Sequence, residues 1–125
     1  MIRLVLLFLF MSSCSSSIRD EDCKNLNWKE QGSRDAARGL SLSMFETHQK
    51  ICLQGASFQK EIKLYKLGYQ QGQKKYCHYR IGKLLGVSGS PINPSCDQVK
   101  FPLYYKGYEE GAKESKKKAL QKKGL

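Results

Sequence analysis

From Phe58 onward, apolar or small residues recur in steps of three and four at Ile62, Tyr65, Tyr69, Gly72 and Tyr76, with lysines and glutamines between them. That spacing traces one face of an α-helix, and the segment never alternates as a half-buried strand would. Ser57 in "QGAS" is its candidate cap. Upstream, Asn27 followed three residues later by Glu30 reads as a helix cap ahead of "WKEQGSRDAARGLSLSMF", which predicts a first helix from Trp28 to about Phe45. Downstream, the short "HYRIGKLLG" ends in "VSGSPINPS", whose Gly, Pro, Ser and Asn mark a loop. Pro102 suits a first helical position and opens a last helix through "LYYKGYEEGAKESKKKAL". The fold class is therefore all-α, a small disulfide-stapled bundle of about three to four helices with no sheet.

One pattern recurs within these helices. Tyr65, Gly68 and Gly72 are matched by Tyr79, Gly82 and Gly86, then by Tyr104, Gly107 and Gly111, with Trp28, Gly32 and Ala36 as a looser copy. Each interior glycine costs a helix about 0.8–1 kcal/mol relative to alanine, so two of them one turn apart imply close packing that offsets the loss. Small residues four apart let another backbone approach, as between membrane helices. The rings beside them supply buried area, so the stripe reads as core rather than as a ligand groove.

The N-terminus belongs to a different kind of segment. "MIRLVLLFLFMSSC" has a charge at Arg3, an apolar run from Leu4 to Met11 and small residues ending at Cys14, the layout of a secretory signal. The run is too short to stay as a membrane span. Because the small residues end at a cysteine followed by serines, the segment resembles a bacterial lipoprotein signal, which implies that Cys14 is acylated and becomes the new N-terminus. The resemblance extends to Gram-negative sorting, where Ser15 rather than aspartate after the cysteine implies the outer membrane. The 125 residues, 40% hydrophobic, then divide into a signal over 1–13, Cys14 with a short linker over 14–22, one helical domain over 23–112 and a lysine-rich tail over 113–125.

With Cys14 assigned to lipid, Cys23, Cys52, Cys77 and Cys96 remain. An even number in a small exported domain reads as two disulfides. His48 lies four residues before Cys52 and His78 follows Cys77, but the spacing matches no compact zinc knuckle, so no metal site or cofactor is expected. A second helix from about Ser57 to Tyr76 would hold Cys52 and Cys77 roughly 30 Å apart at 1.5 Å per residue, too far to bond. Short connections favour antiparallel neighbours. On that argument Cys23 pairs with Cys77 and Cys52 with Cys96, in preference to Cys23 with Cys52 and Cys77 with Cys96.

The order Cys23, Trp28, Gly32, Asp35, Gly39, His48, Cys52, Tyr65, Gly68, Gly72, "YC" at Tyr76 and Cys77, Cys96, Tyr104 and Gly107 resembles the bacterial lipoprotein family catalogued as domain of unknown function 2799. The resemblance covers nearly the whole chain beyond the signal. It departs after Cys77, where the family runs through threonine, proline and asparagine and this chain reads "HYRIG". It implies export, lipidation, disulfides and fold, and carries no activity.

Chemistry-bearing residues are few. Asp35, Glu46, His48 and His78 are the candidates, with no nucleophile elbow and no paired acidic motif. Asp35 is expected to pair with Arg34 or Arg38, and His48 to be a structural hydrogen-bonding residue. Net charge is +11, of which Arg3 contributes one, and the excess concentrates at Lys113, Lys116, Lys117, Lys118, Lys122 and Lys123. Such a block is a solvated helix end or an attractor of polyanions, which outside the cytoplasm means anionic lipid, lipopolysaccharide or acidic wall polymers rather than nucleic acid.

The expectation is a non-catalytic cell-envelope lipoprotein on the outer membrane, held by its lipid and facing an anionic polymer or another envelope protein. The alternative is a small periplasmic hydrolase or metal-binding protein using His48, Asp35 or His78. Lipidation is directly testable: Cys14→Ser is expected to move the protein from the membrane to the soluble fraction of disrupted cells, and unchanged sedimentation would count against acylation.

Overall fold

The computed structural model describes residues 20–52 and 58–124. The signal segment, Cys14 and the expected Ser57 cap lie outside these. A 3-10 turn over Asp20–Asn25 leads into α1 (Trp28–Ala37), α2 (Met44–Cys52), α3 (Gln59–Tyr76), α4 (Tyr79–Ser88) and α5 (Pro102–Lys122). The fold is all-helical, without strands among the described residues and with one helix more than the pattern suggested.

The extra helix comes from a break in the expected first one. Asn27 caps α1 as anticipated, its Oδ1 accepting from the Glu30 N–H at 3.1 Å. The helix stops ten residues later, because Gly39 takes φ 77°, a left-handed conformation that side chains resist. The Leu40 N–H then reaches back to the Asp35 carbonyl at 3.0 Å and closes the C-terminal turn. Ser41 restarts the chain: its carbonyl accepts from the Met44 N–H and its Oγ from the Ser43 N–H. Read as one periodic run, "RDAARGLSLSMF" hid a glycine terminator followed by a serine cap.

α1 packs against α3, and α4 against α5. The glycines set both contacts. Built onto each, a Cβ would fall inside the 3.0 Å that real Cβ contacts essentially never breach: Gly32 against the Tyr65 carbonyl, Gly68 against that of Lys29, Gly72 against that of Ser33. In the other pair Gly82 meets Tyr104, Gly86 meets Tyr108, Gly107 meets Tyr79 and Gly111 meets Lys83, again at the carbonyl oxygens. In each set the partner residue numbers rise together, so both pairs run parallel.

The two pairs are copies of one unit. Gly82 and Gly86 occupy the places of Gly32 and Ala36, and Tyr104, Gly107, Tyr108 and Gly111 those of Tyr65, Gly68, Tyr69 and Gly72. Gly89, at φ 70°, ends α4 as Gly39 ends α1, and the Ser90 N–H returns to the Leu85 carbonyl at 3.0 Å. The Tyr69 hydroxyl donates to the Leu40 carbonyl at 2.6 Å, and the Tyr108 hydroxyl to that of Ser90 at 2.7 Å. The register also shows that Trp28 corresponds to His78 and Lys29 to Tyr79, so the tryptophan is no counterpart of the tyrosine that opens α4.

Parallel helices need a return path between them, and this corrects the disulfide pairing. α2 carries the first unit back and the loop from Gly89 to Phe101 carries the second, so the starts of paired helices lie at one end. Cys23 bonds Cys52 and Cys77 bonds Cys96, with Cα separations of 5.2 and 5.4 Å. The expected Cys23–Cys77 and Cys52–Cys96 pairing assumed antiparallel neighbours, whereas each staple joins the start of one helix to the residues leading into its parallel partner.

Each unit has its own core. Trp28, Ala36, Phe45, Tyr65 and Tyr69 form the first, with the Phe45 ring 5.3 Å from both Trp28 and Tyr65. Cys77, Cys96 and Tyr104 form the second, ringed by Ile81, Leu85, Ile92 and Phe101. The units meet where the Tyr76 ring of α3 packs on the second core, its centroid 6.4 Å from that of Tyr104, where Asn93 Nδ2 donates to the Gly39 carbonyl at 2.8 Å and where Gln73 Nε2 donates to the Ser95 carbonyl at 2.7 Å.

Gly68→Ala tests the backbone contact. Overpacking of this kind costs about 1–3 kcal/mol, so the variant's urea midpoint should fall even though alanine is the better helix former by about 1 kcal/mol; an unchanged or higher midpoint would remove the basis for the close approach.

Candidate functional site

Trp28, Gln31, Gly32, Asp35 and Ala36 are the buried residues of α1, a stripe in steps of three and four that includes two polar side chains. Asp35, 2% exposed, is the hub. Its Oδ1 accepts from Gln31 Nε2 at 2.9 Å, and its Oδ2 accepts from the Tyr65 hydroxyl at 2.7 Å and lies 2.6 Å from His48 Nε2. The expected partner Arg34 instead donates to Gln31 Oε1 at 2.8 Å, one shell further out, and lies 3.9 Å from Glu30. Asp35 thus faces the interior, because the α1 face that carries it is the face packed on α3.

A buried carboxylate is costly unless its lone pairs are satisfied. Three donors from three helices converge on this one. His48 comes from α2, whose buried residues Phe45 and His48 are one turn apart. With its Nε2–H on Asp35, the ring's Nδ1 is buried without a hydrogen-bond partner among the described residues. Burial first, then the hydrogen bond to the Asp35 carboxylate, pushes the Tyr65 phenol well above its ordinary value, so it stays a neutral donor.

The second unit serves as an internal comparison. Leu85 stands where Asp35 does and Ile81 where Gln31 does, and both pack into the second core. Tyr104 keeps the place of Tyr65 but its hydroxyl accepts from the Asn93 N–H at 3.0 Å; burial raises its phenol too. The glycine-paired fold therefore forms around either a polar or an apolar centre. What differs is the return path: the polar cluster coincides with the unit whose return segment is a helix, and it fastens that helix to the pair beneath it.

The other candidates are dispersed. His78 caps α4 in the second unit without a side-chain cap bond, and Glu46 lies exposed in the first turn of α2. The four cysteines are held as disulfides, and among the described residues no three His, Cys, Asp or Glu side chains converge as metal ligands would. Lys113, Lys116, Lys117, Lys118, Lys122 and Lys123 all lie exposed on α5 or at its end. Lys118 Nζ is 2.9 Å from Glu114, whose carboxyl this hydrogen bond holds below its usual value, and Lys83 bridges to the same carboxylate at 3.7 Å. The boundary expected at Lys113 falls in mid-helix.

Compared with known families, residues 27–113 match the one described as protein of unknown function DUF2799. The chain belongs to this family. No curated protein and no solved structure matches it. The DUF2799 match starts at the Asn27 cap and ends two residues after Gly111, so it spans both glycine-paired units and their disulfides except Cys23, and stops where the lysine-rich end of α5 begins.

The cluster makes a specific demand on Tyr65. Tyr65→Phe removes a donor from a buried carboxylate and should cost about 1.5–3 kcal/mol at pH 7. Because the folded phenol is raised, its contribution is present below the unfolded tyrosine value near 10 and is lost as pH rises above it. Urea midpoints at pH 7 and pH 10.5 should therefore fall more between the two for the native protein than for Tyr65→Phe; equal losses would remove Tyr65 as the resisting group.

Proposed function

We propose that the protein is a non-catalytic lipoprotein of the bacterial cell envelope, a rigid helical module held on the outer membrane through acylated Cys14, which presents the lysine-bearing end of α5 to anionic lipid or an acidic envelope polymer. One observation carries this reading. The last glycine contact between α5 and α4 is at Gly111, the last ion pair between them is Lys83–Glu114, and α5 continues to Lys122 with every residue from Lys116 to Gly124 exposed. Two further turns of helix with several lysines and no packing partner among the described residues are poorly explained by stability, since isolated helices of that length are marginal in water. They are well explained as an electrostatic surface. The signal layout around Cys14 supports the anchoring, and the tether of eight residues between Cys14 and Cys23 would keep the domain within about 30 Å of the bilayer.

The 2.6 Å contact between Asp35 and His48 is the observation that favours the second reading, a small periplasmic hydrolase. Its surroundings argue for the first. Both side chains are sealed, at 2% and 5% exposed, the third member is a tyrosine rather than a serine or cysteine nucleophile, and His78 belongs to the other unit. A general base must reach a proton on the substrate.

Truncation from Lys116 should weaken salt-sensitive binding to vesicles containing anionic lipid and leave the melting temperature unchanged, because an unpacked helix end contributes to association more than to fold. Equal binding by the full and truncated chains would make the α5 end a bystander.

A further inference from the structure

Where the two units meet, their surfaces border an open cleft of about 520 Å³, in the size range of small-molecule sites. One wall is a stripe of α3 made by Lys66, Tyr69, Gln70 and Gln73; the others are Ser41 and Leu42 after α1, and Pro94, Ser95 and Lys100 on the return loop of the second unit. We infer that this cleft is a binding site for an anionic saccharide, a sugar chain bearing carboxylates, distinct from the lysines of α5.

The charge is the first argument. The cleft is lined by two lysines and no carboxylate. Neither Lys66 nor Lys100 has a carboxylate within ion-pair distance among the described residues, in a protein whose Lys83, Lys118 and Arg34 do find one. The acidic group nearest in sequence to Lys100, Asp97, accepts from the Lys100 backbone N–H through Oδ1 at 3.0 Å and does not line the cleft. Two lysines from separate segments, Lys66 on α3 and Lys100 on the return loop, suit a ligand that carries negative charge at more than one point.

The second argument is the supply of neutral donors and acceptors, which is what hydroxyl-rich ligands require. The Gln70 amide has no hydrogen-bond partner among the described residues. Ser41 Oγ accepts from both the Ser43 N–H and the Ser43 hydroxyl, which leaves its own proton to donate elsewhere. Gln73 spends its Nε2 on the Ser95 carbonyl at 2.7 Å, and that same bond fixes the two walls relative to each other. Tyr69 is held by its hydroxyl on the Leu40 carbonyl, so its ring is a fixed floor rather than a mobile flap. Leu42, 40% exposed, and Pro94 add apolar surface against which the carbon face of a sugar ring can lie.

The internal copy supplies the third argument. The face of α3 that carries Lys66, Gln70 and Gln73 corresponds to the face of α5 that carries Tyr105, Glu109 and Ala112. The same helix in the same packing thus tolerates an aromatic, an acid and a methyl group there. The lysine and two amides are not required by the glycine-paired fold, and they occur in the copy whose face adjoins the other unit.

The experiment is a 1H–15N NMR titration of the purified protein, disulfides intact, with digalacturonate as the acidic probe and lactose as the neutral one. Digalacturonate should shift the signals of Ser41, Gln70, Gln73 and Ser95 saturably in the millimolar range, and lactose should bind at least tenfold more weakly. Lys66→Ala with Lys100→Ala should lower the digalacturonate affinity about tenfold with the melting temperature unchanged, and truncation from Lys116 should leave it intact. Equal affinity for lactose, no saturable shift at these residues, or shifts confined to Lys113–Lys123 would each overturn the assignment, the last by placing all anion attraction on α5. Loss of vesicle binding with retention of the cleft signals would bear on the α5 reading alone.

Discussion

Two parallel helices touching backbone to backbone are the constraint from which the rest of this structure follows. At a glycine the partner's carbonyl oxygen occupies the place of a Cβ, so the axes come closer than leucine-filled seams allow, and weak Cα–H···O contacts add to ordinary dispersion. Such contact is available only where small residues sit one turn apart on both helices, which fixes the register of the pair. Parallel direction then requires a return segment in each unit, brings the two helix starts to one end, and so decides which cysteines meet. The tyrosines at the head of each seam, Tyr65 and Tyr104, are fully buried and fill the core beside it.

The two units share this frame and differ in what they enclose. Around Asp35 three neutral or cationic donors meet a carboxylate; around Leu85 the same space is apolar. Replacing buried ionic groups by hydrophobic ones is often neutral for stability, whereas removing one partner is costly. The polar centre is therefore better understood as specifying an arrangement, the seating of α2 by His48, than as adding net stability. The His48–Asp35 bond is directional, whereas the packing of Phe45 against Trp28 and Tyr65 is not.

Much of the fold was legible. The three-and-four spacing gave the helices, and the paired glycines gave their contact faces, because both signals act within one or two turns. The break after Ala37 was legible in principle, since "GLS" pairs a C-terminal glycine with a serine able to start the next turn, but a continuous apolar pattern through Phe45 masked it. Helix direction was not legible: Tyr65, Gly68 and Gly72 present the same stripe to a parallel or an antiparallel partner, and the disulfide inference failed there. The Asp35 cluster was half legible. Gln31 and Asp35 lie on the stripe defined by Trp28, Gly32 and Ala36, which already placed them indoors and away from Arg38. Nothing local linked them to His48 or Tyr65, whose convergence depends on α2 folding back.

Among the four cysteines that follow Cys14, each disulfide joins neighbours in the sequence, Cys23 with Cys52 and Cys77 with Cys96, closing loops with separations of 29 and 19 residues. Each loop contains the first helix of its unit and all or part of its return path, and excludes the second helix. A chain meeting an oxidant from its N-terminus onward can thus close each bond correctly as soon as the second cysteine of the pair appears, before the partner helix exists. Interlaced pairings would hold the first thiols open until the third or fourth arrived and would rely on exchange to undo early errors. Pairing of this kind lets each unit close its own disulfide without waiting for the cysteines of the other.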